Sequence, residues 1–188
     1  MGKRSNFKRK KKDFYQTPPE PILPLLKFLE HKTFAEPCAG AGALANVLID
    51  NGFTCTYACD IEPKHPGILQ RDVLTDKFCI PHPIDQIITN PPWSRDLLHP
   101  MIDKFSLIAP TWLLFDADWM HTKQALPYLK DNCRKIISVG RVKWFSFSKF
   151  VGKDNASWYL FDRTKEYENK FPMFYGNNIQ LGELLNLC

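Results

Sequence analysis

Short runs of consecutive apolar residues recur along this chain, separated by stretches of helical periodicity and by proline-rich breaks. The runs at 33–36, 54–60, 86–89, 111–115, 134–139 and 158–161 predict strands, and the amphipathic stretches 43–51 and 97–108 predict helices. A further helix is predicted over about 22–30, after the proline-interrupted segment Asp13-Phe-Tyr-Gln-Thr-Pro-Pro-Glu20. Ile87-Ile88, Trp112-Leu-Leu-Phe115 and Ile136-Ile-Ser-Val139 are apolar at consecutive positions, which suits strands covered on both faces. Doubly covered strands alternating with helices predict a three-layer α/β arrangement with a mostly parallel sheet. The last segments, around 134–147 and 158–162, lie closer together and predict an antiparallel hairpin at the C-terminal end.

Composition narrows the picture without changing it. The chain has 188 residues, 44% hydrophobic and 24% charged, enough for one substantial core. Such values exclude a repeat array, a collagen-like fibre and a wholly disordered protein. No run approaches the ~18 apolar residues of a membrane span. The basic N-terminus lacks the apolar segment of a secretory signal. Charge is unevenly placed. Residues 1–12 carry seven cations (Lys3, Arg4, Lys8, Arg9, Lys10, Lys11, Lys12) and no acid, whereas the other 176 residues hold 18 basic and 20 acidic side chains. The expected organisation is a disordered basic tail over 1–12 and one domain over 13–188. The tail reads as a nucleic-acid-binding arm, with a solubility tail or an import signal as its other readings.

The six cysteines form no Cys-x-x-Cys pair. Cys79 and His82 are the only spacing that resembles a metal half-site, and two ligands are too few, so no metal is expected. Cys55 and Cys59 are expected on one strand face by alternation. Buried reduced thiols suit a reducing cytosol, and the expected location is cytoplasmic.

Two strings carry candidate chemistry. The first strand ends in Glu36-Pro-Cys-Ala-Gly40-Ala-Gly42 and runs directly into a helix. Gly40 and Gly42 permit a sharp turn and close backbone approach to a ligand beside helix N–H groups. Asp60 ends the next strand, where its carboxylate can accept both hydroxyl protons of a ribose. Gly40-Ala-Gly-Ala-Leu-Ala45 also fits a dinucleotide fingerprint, but the chain leaves no room for a second mononucleotide half. Glu36 would repel a pyrophosphate and would suit a ligand bearing an amino or sulfonium cation, such as S-adenosylmethionine.

The second string, Asp85-Gln-Ile-Ile-Thr-Asn90-Pro-Pro-Trp93, follows the strand at 86–89. Pro91 and Pro92 remove two backbone donors and stiffen the loop. Asn90 adds a side-chain carbonyl and Trp93 a flat face. Fixed acceptors beside an aromatic plate describe a socket for a ring bearing an exocyclic amino group.

Glu36-Pro-Cys-Ala-Gly-Ala-Gly42, Asp60-Ile-Glu62, Asp72 and Asn90-Pro-Pro-Trp93 occur in an order that resembles class I S-adenosylmethionine-dependent methyltransferases. The Asn-Pro-Pro-aromatic form resembles the branch that methylates exocyclic nitrogens, most often adenine N6. Asp13-Phe-Tyr-Gln-Thr-Pro18 is similar to the segment preceding the glycine motif in small bacterial and phage DNA adenine methyltransferases. The resemblance covers about 13–162 and implies a Rossmann-like class I methyltransferase fold. It implies that Glu36, Pro37, Gly40 and Gly42 line the methionine part of the cofactor, which Phe14, Thr17 and Pro18 cover. Asp60 would hold the ribose, Ile61 would lie against the adenine ring, and Asp72 would accept from its amino group. Asn90 and the Pro91 carbonyl would bind the target amine, Pro92 would stiffen the loop and Trp93 would stack on the base. Asn90 would also border the cofactor.

Over Arg141–Trp158, aromatics (Trp144, Phe145, Phe147, Phe150, Trp158) are interleaved with cations (Arg141, Lys143, Lys149, Lys153). This pattern predicts a surface for stacking bases and holding phosphates, with Lys143, Phe145, Phe147 and Lys149 as the named contacts, or else a hairpin with its aromatics in the core. The implied partner is DNA, with an RNA base, a protein glutamine or non-catalytic nucleic-acid binding as rivals. No ~100-residue recognition block follows Trp93, so target recognition is expected to be short, loose or borrowed from a partner protein.

Overall fold

The computed structural model describes residues 16–75, 77–81, 83–144, 152–164 and 172–176. In chain order its elements are α1 (Leu23–Leu26), β1 (Thr33–Glu36), α2 (Ala43–Asp50), β2 (Thr54–Asp60), β3 (Leu69–Gln70), β4 (Gln86–Thr89) and α3 (Arg95–Ile108). There follow β5 (Thr111–Asp116), a 3₁₀ turn (Ala117–His121), α4 (Leu126–Asp131), β6 (Cys133–Arg141), β7 (Asn155–Phe161) and β8 (Met173–Tyr175). The strands form one sheet in the order β3-β2-β1-β4-β5-β7-β6-β8. Among the described strands only β7 runs against the rest: it is antiparallel to β5 and β6, while β8 is parallel to β6.

Alternation within the strands builds two cores, one on each side of the sheet. Ala35, Ile87, Leu113 and Phe115 face Leu98, Met101, Ile102 and Phe105 of α3. Their sequence neighbours Phe34, Ile88, Trp112 and Leu114 face Ile22 and Leu25 at α1 and Leu44 and Leu48 of α2. This is the three-layer arrangement predicted from the doubly apolar runs, and the hairpin of β6 and β7 is present. The helix expected over 22–30 is shorter. After Leu26 the chain tightens into three-residue turns, with Phe28 N–H donating to Leu25 O (2.9 Å) and Leu29 N–H to Leu26 O (3.3 Å). No described helix is long and apolar enough to cross a membrane.

A bulge overturns one expectation. Phe34 pairs with Cys55 but Ala35 pairs with Tyr57, so Thr56 is an extra residue in β2. One extra residue exchanges the faces beyond it. Cys55 therefore joins the α2 side and Cys59 the α3 side. Their thiols are free, and burial raises both to about 11. Cys79 is exposed, against the expectation of burial.

The topology also places a crevice. From β1 the chain passes to β2 on one side, and β4 joins β1 on the other. That reversal opens a gap beyond the carboxyl ends of β1 and β4, where open α/β sheets bind ligands.

Candidate functional site

Beyond Glu36 the chain turns through 37–42 into α2, and Gly40 (φ +55°) and Gly42 (φ +82°) adopt left-handed conformations that favour glycine. The turn is pinned to the end of β2. Ala39 N–H donates to Cys59 O at 2.9 Å. Gly40 N–H donates to Asp60 Oδ2, and Glu62 N–H to Asp60 Oδ1, each at 2.8 Å. Each carboxylate oxygen thus takes one backbone donor and keeps acceptor capacity for hydroxyl protons.

Glu36 is 2% exposed. Its Oε2 accepts from Ala45 N–H at 3.0 Å in the first turn of α2. The N-cap of that helix is Gly42, which has no side chain to offer, so Glu36 satisfies a terminal N–H from outside. Burial pushes the Glu36 carboxyl well above the usual range; the Ala45 bond opposes that rise, and Asp60 adds to it.

These groups meet in one cavity of about 550 Å³. Of the residues named from sequence, Thr17, Glu36, Pro37, Gly40, Asp60, Ile61, Asp72, Asn90 and Pro92 stand in its wall. Gly42, Pro18, Pro91 and Trp93 do not. A Cβ at Gly42 would meet Ile68 Cδ1 at 3.5 Å, an ordinary contact, so this glycine serves the backbone turn. Sequence reading missed Cys38, Lys64, Arg71, Leu97 and Met101 in the wall. Arg71 adjoins Asp72, and Leu97 and Met101 share a face of α3 at i, i+4 spacing. That spacing was the available signal. Burial raises the Cys38 thiol far above its ordinary range, so it stays protonated.

At the end of β4, Asn90 Nδ2 donates to Thr17 Oγ1 at 3.1 Å, and Trp93 Nε1 donates to Asn90 Oδ1 at 3.2 Å. Pro91 is buried. Trp93 is half-buried, packs against both cores and meets Trp144 edge-on with ring centroids 5.6 Å apart. Its carbonyl accepts from Arg95 Nη1 at 3.4 Å, and Arg95 pairs with Asp116 at the end of β5 (3.1 Å).

Lys143 is exposed and Trp144 is half-buried. Trp158, which closed the proposed stacking segment, is a core residue whose Nε1 donates to Pro21 O at 2.7 Å. Lys3, Arg4, Lys8, Arg9, Lys10, Lys11, Lys12, Phe14, His82, Phe145, Phe147 and Lys149 lie outside the described residues.

No protein-family model matches the sequence, and no curated protein does. Solved structures do match. A Listeria monocytogenes protein assigned to the class I S-adenosylmethionine-dependent methyltransferases superposes with a TM-score of 0.56 at 11% identity, over 84% of this chain and 62% of its own. The methyltransferase subunit of a type I restriction-modification system from Streptococcus thermophilus gives 0.51 at 13%, over 87% and 47%. A dimethyladenosine transferase from Plasmodium falciparum gives 0.51 at 17%, over 83% and 65%. The chain thus spans about half to two thirds of these three proteins. Its fold is that of the class I methyltransferases.

Proposed function

We propose that this chain is an S-adenosylmethionine-dependent methyltransferase acting on the exocyclic N6 amino group of adenine in DNA. One observation carries the reading: Glu36, Asp60, Asp72 and Asn90, from four separate segments, converge on one cavity sized for a nucleoside-type ligand. The donor set fits the cofactor. Asp60 keeps acceptor capacity for ribose hydroxyls, Ile61 gives an apolar wall, and a buried Glu36 carboxylate gains from a nearby cation. The bound cofactor would supply a methyl group on a positively charged sulfur.

The protein's residues do the rest by alignment and fixed dipoles. The lone pair of an aromatic amine is delocalised into its ring. Acceptance of its two N–H bonds by Asn90 Oδ1 and the Pro91 carbonyl favours a pyramidal nitrogen whose lone pair is free to attack. No strong base is needed, because the methylated ammonium product is itself acidic. A place for adenine in DNA is supported by the Asn-Pro-Pro-aromatic string, by the cationic 1–12 segment and by likeness to a restriction-modification subunit. That likeness also supports target recognition through a partner protein.

Labelled methyl groups offered with separate pools of DNA, RNA and protein test the proposal. Label retained on DNA is expected. Label confined to RNA or to protein would move the substrate, and label on none would remove the activity.

Two further predictions follow from charge. Glu36→Gln keeps an acceptor for Ala45 N–H and removes a buried carboxylate whose folded pKa is raised. Such a carboxyl contributes stability that is present below its unfolded pKa of about 4.3 and lost as pH rises through the folded value. The variant should therefore be more stable than wild type at pH 7–8, by roughly 2–4 °C in Tm if ~1 kcal/mol is relieved. Its affinity for S-adenosylmethionine should fall and lose its rise with pH. Thermal melts and calorimetry between about pH 5 and 8 check both halves.

Deleting residues 1–12 removes seven cations. The slope of log affinity for DNA against log salt should become shallower, by as much as ~6 where every charge meets a phosphate. Turnover at saturating DNA should barely change. Parallel salt slopes for the two proteins would show that the segment does not touch phosphates.

A further inference from the structure

The side chain of Asn90 is held at both ends of its amide. Trp93 Nε1 lies 3.2 Å from Oδ1, and Thr17 Oγ1 lies 3.1 Å from Nδ2. An indole N–H only donates, so it faces only the carbonyl end of a carboxamide. A hydroxyl can accept, so it suits the amino end. A flipped Asn90 would set N–H against N–H at Trp93. The trio Trp93, Asn90 and Thr17 therefore has one chemical sense.

That sense matters for methyl transfer, on which this inference rests. A carboxamide oxygen has two lone pairs, and Trp93 takes one. The other can accept from an incoming amine only while the amide plane is fixed, and χ2 of Asn is a broad torsion. One bond sets which end is which; a second, at the opposite end, stops rotation. Thr17 supplies it from a position 73 residues earlier in the chain, and it is 6% exposed.

We propose that Thr17 is a positioning residue for the transfer step, whose hydroxyl holds Asn90 Oδ1 toward the target amine. The family resemblance gave Thr17 to the cofactor side. Its place in the cavity wall allows a cofactor contact as well, so the test must separate the two roles.

Thr17→Val keeps the shape and loses the acceptor, and Thr17→Ser restores it. With S-adenosylmethionine and DNA both saturating, the single-turnover rate of Thr17→Val should fall about 10- to 100-fold, the scale known for losing the hydrogen bond that orients a metal-ligating side chain. Thr17→Ser should return to within a few-fold of wild type. Cofactor affinity by calorimetry should stay within a few-fold in both. A weakened cofactor affinity with an unchanged single-turnover rate would overturn the proposal and leave Thr17 as a cofactor contact. A readout free of turnover is the Asn90 side-chain amide in ¹⁵N NMR, assigned by its disappearance in Asn90→Ala. Slow exchange in wild type and in Thr17→Ser is expected; exchange as fast as a free amide in either overturns the proposal even where Thr17→Val fails to fold. Absence of methyl transfer by wild type to DNA, RNA or protein overturns the underlying reading together with this one. An active wild type matched by an equally fast Thr17→Val overturns the proposal alone.

Discussion

Gly40→Asp is expected to lose S-adenosylmethionine binding, by about 100-fold or more, while the protein still folds. Gly40 stands in the cavity wall with its N–H on Asp60 Oδ2 at 2.8 Å. An aspartate on this wall residue adds bulk and a second carboxylate next to the backbone that Asp60 holds. Repulsion from Asp60 is already present in the free protein and shows in stability; the affinity loss comes from bulk and charge added at the ligand's wall, at ~1.4 kcal/mol for each tenfold. Aspartate is the informative choice because Asp and Asn tolerate a left-handed backbone better than other side chains, and φ here is +55°. The contrast is Gly42→Ala. Its Cβ would make an ordinary contact with Ile68, away from the wall, at a backbone φ of +82°. That change should cost on the order of 1 kcal/mol of stability through backbone strain and leave cofactor affinity close to wild type. Calorimetry and thermal melts on the two variants check the pair; equal losses of affinity would mean that the loop acts only through its backbone.

Asn90→Ala should cut turnover by about two orders of magnitude or more, the usual result of removing one fixed hydrogen-bonding group aimed at the reacting centre. Cofactor affinity should change by no more than a few-fold, since Glu36, Asp60 and Asp72 remain in the wall. Trp93 Nε1 and Thr17 Oγ1 lose a partner, which should lower stability by about 1 kcal/mol. Pre-steady-state rates at saturating cofactor, set beside calorimetric affinities, separate the two effects. Turnover within a few-fold of wild type would place the amine socket elsewhere.

The features legible from sequence are those in which local pattern and tertiary environment agree. Ile87-Ile88 and Trp112-Leu-Leu-Phe115 read as doubly covered strands because each consecutive side chain enters a different apolar layer. Gly40, Asp60 and Asn90, singled out because strand ends are where such sheets present chemistry, line one cavity. Where local pattern and context part, the reading failed. The bulge at Thr56 leaves no mark on strand alternation, so Cys55 and Cys59 were put on one face. Leu69–Gln70 is a two-residue strand, too short to carry a period. Between β3 and β4, Val73, Phe78 and Ile80 enter the core from a stretch whose described residues form no regular element, so no periodicity announces them. Trp158 looked like part of an aromatic-cationic surface, but the six residues Ala156-Ser-Trp-Tyr-Leu-Phe161 are all buried, as a strand inside a two-sided sheet requires. The bonds from Trp93 and Thr17 to Asn90 depend on how a Pro-Pro turn and a segment 73 residues away meet, which no local spacing encodes.

The central claim is that methyl groups pass from S-adenosylmethionine to an exocyclic adenine nitrogen held at Asn90. The most direct measurement is enzymatic digestion of DNA to nucleosides after incubation with methyl-labelled cofactor, with wild type and Asn90→Ala run side by side. The account predicts label in N6-methyldeoxyadenosine with wild type and almost none with Asn90→Ala. Label in another nucleoside, or equal label from both proteins, would contradict it.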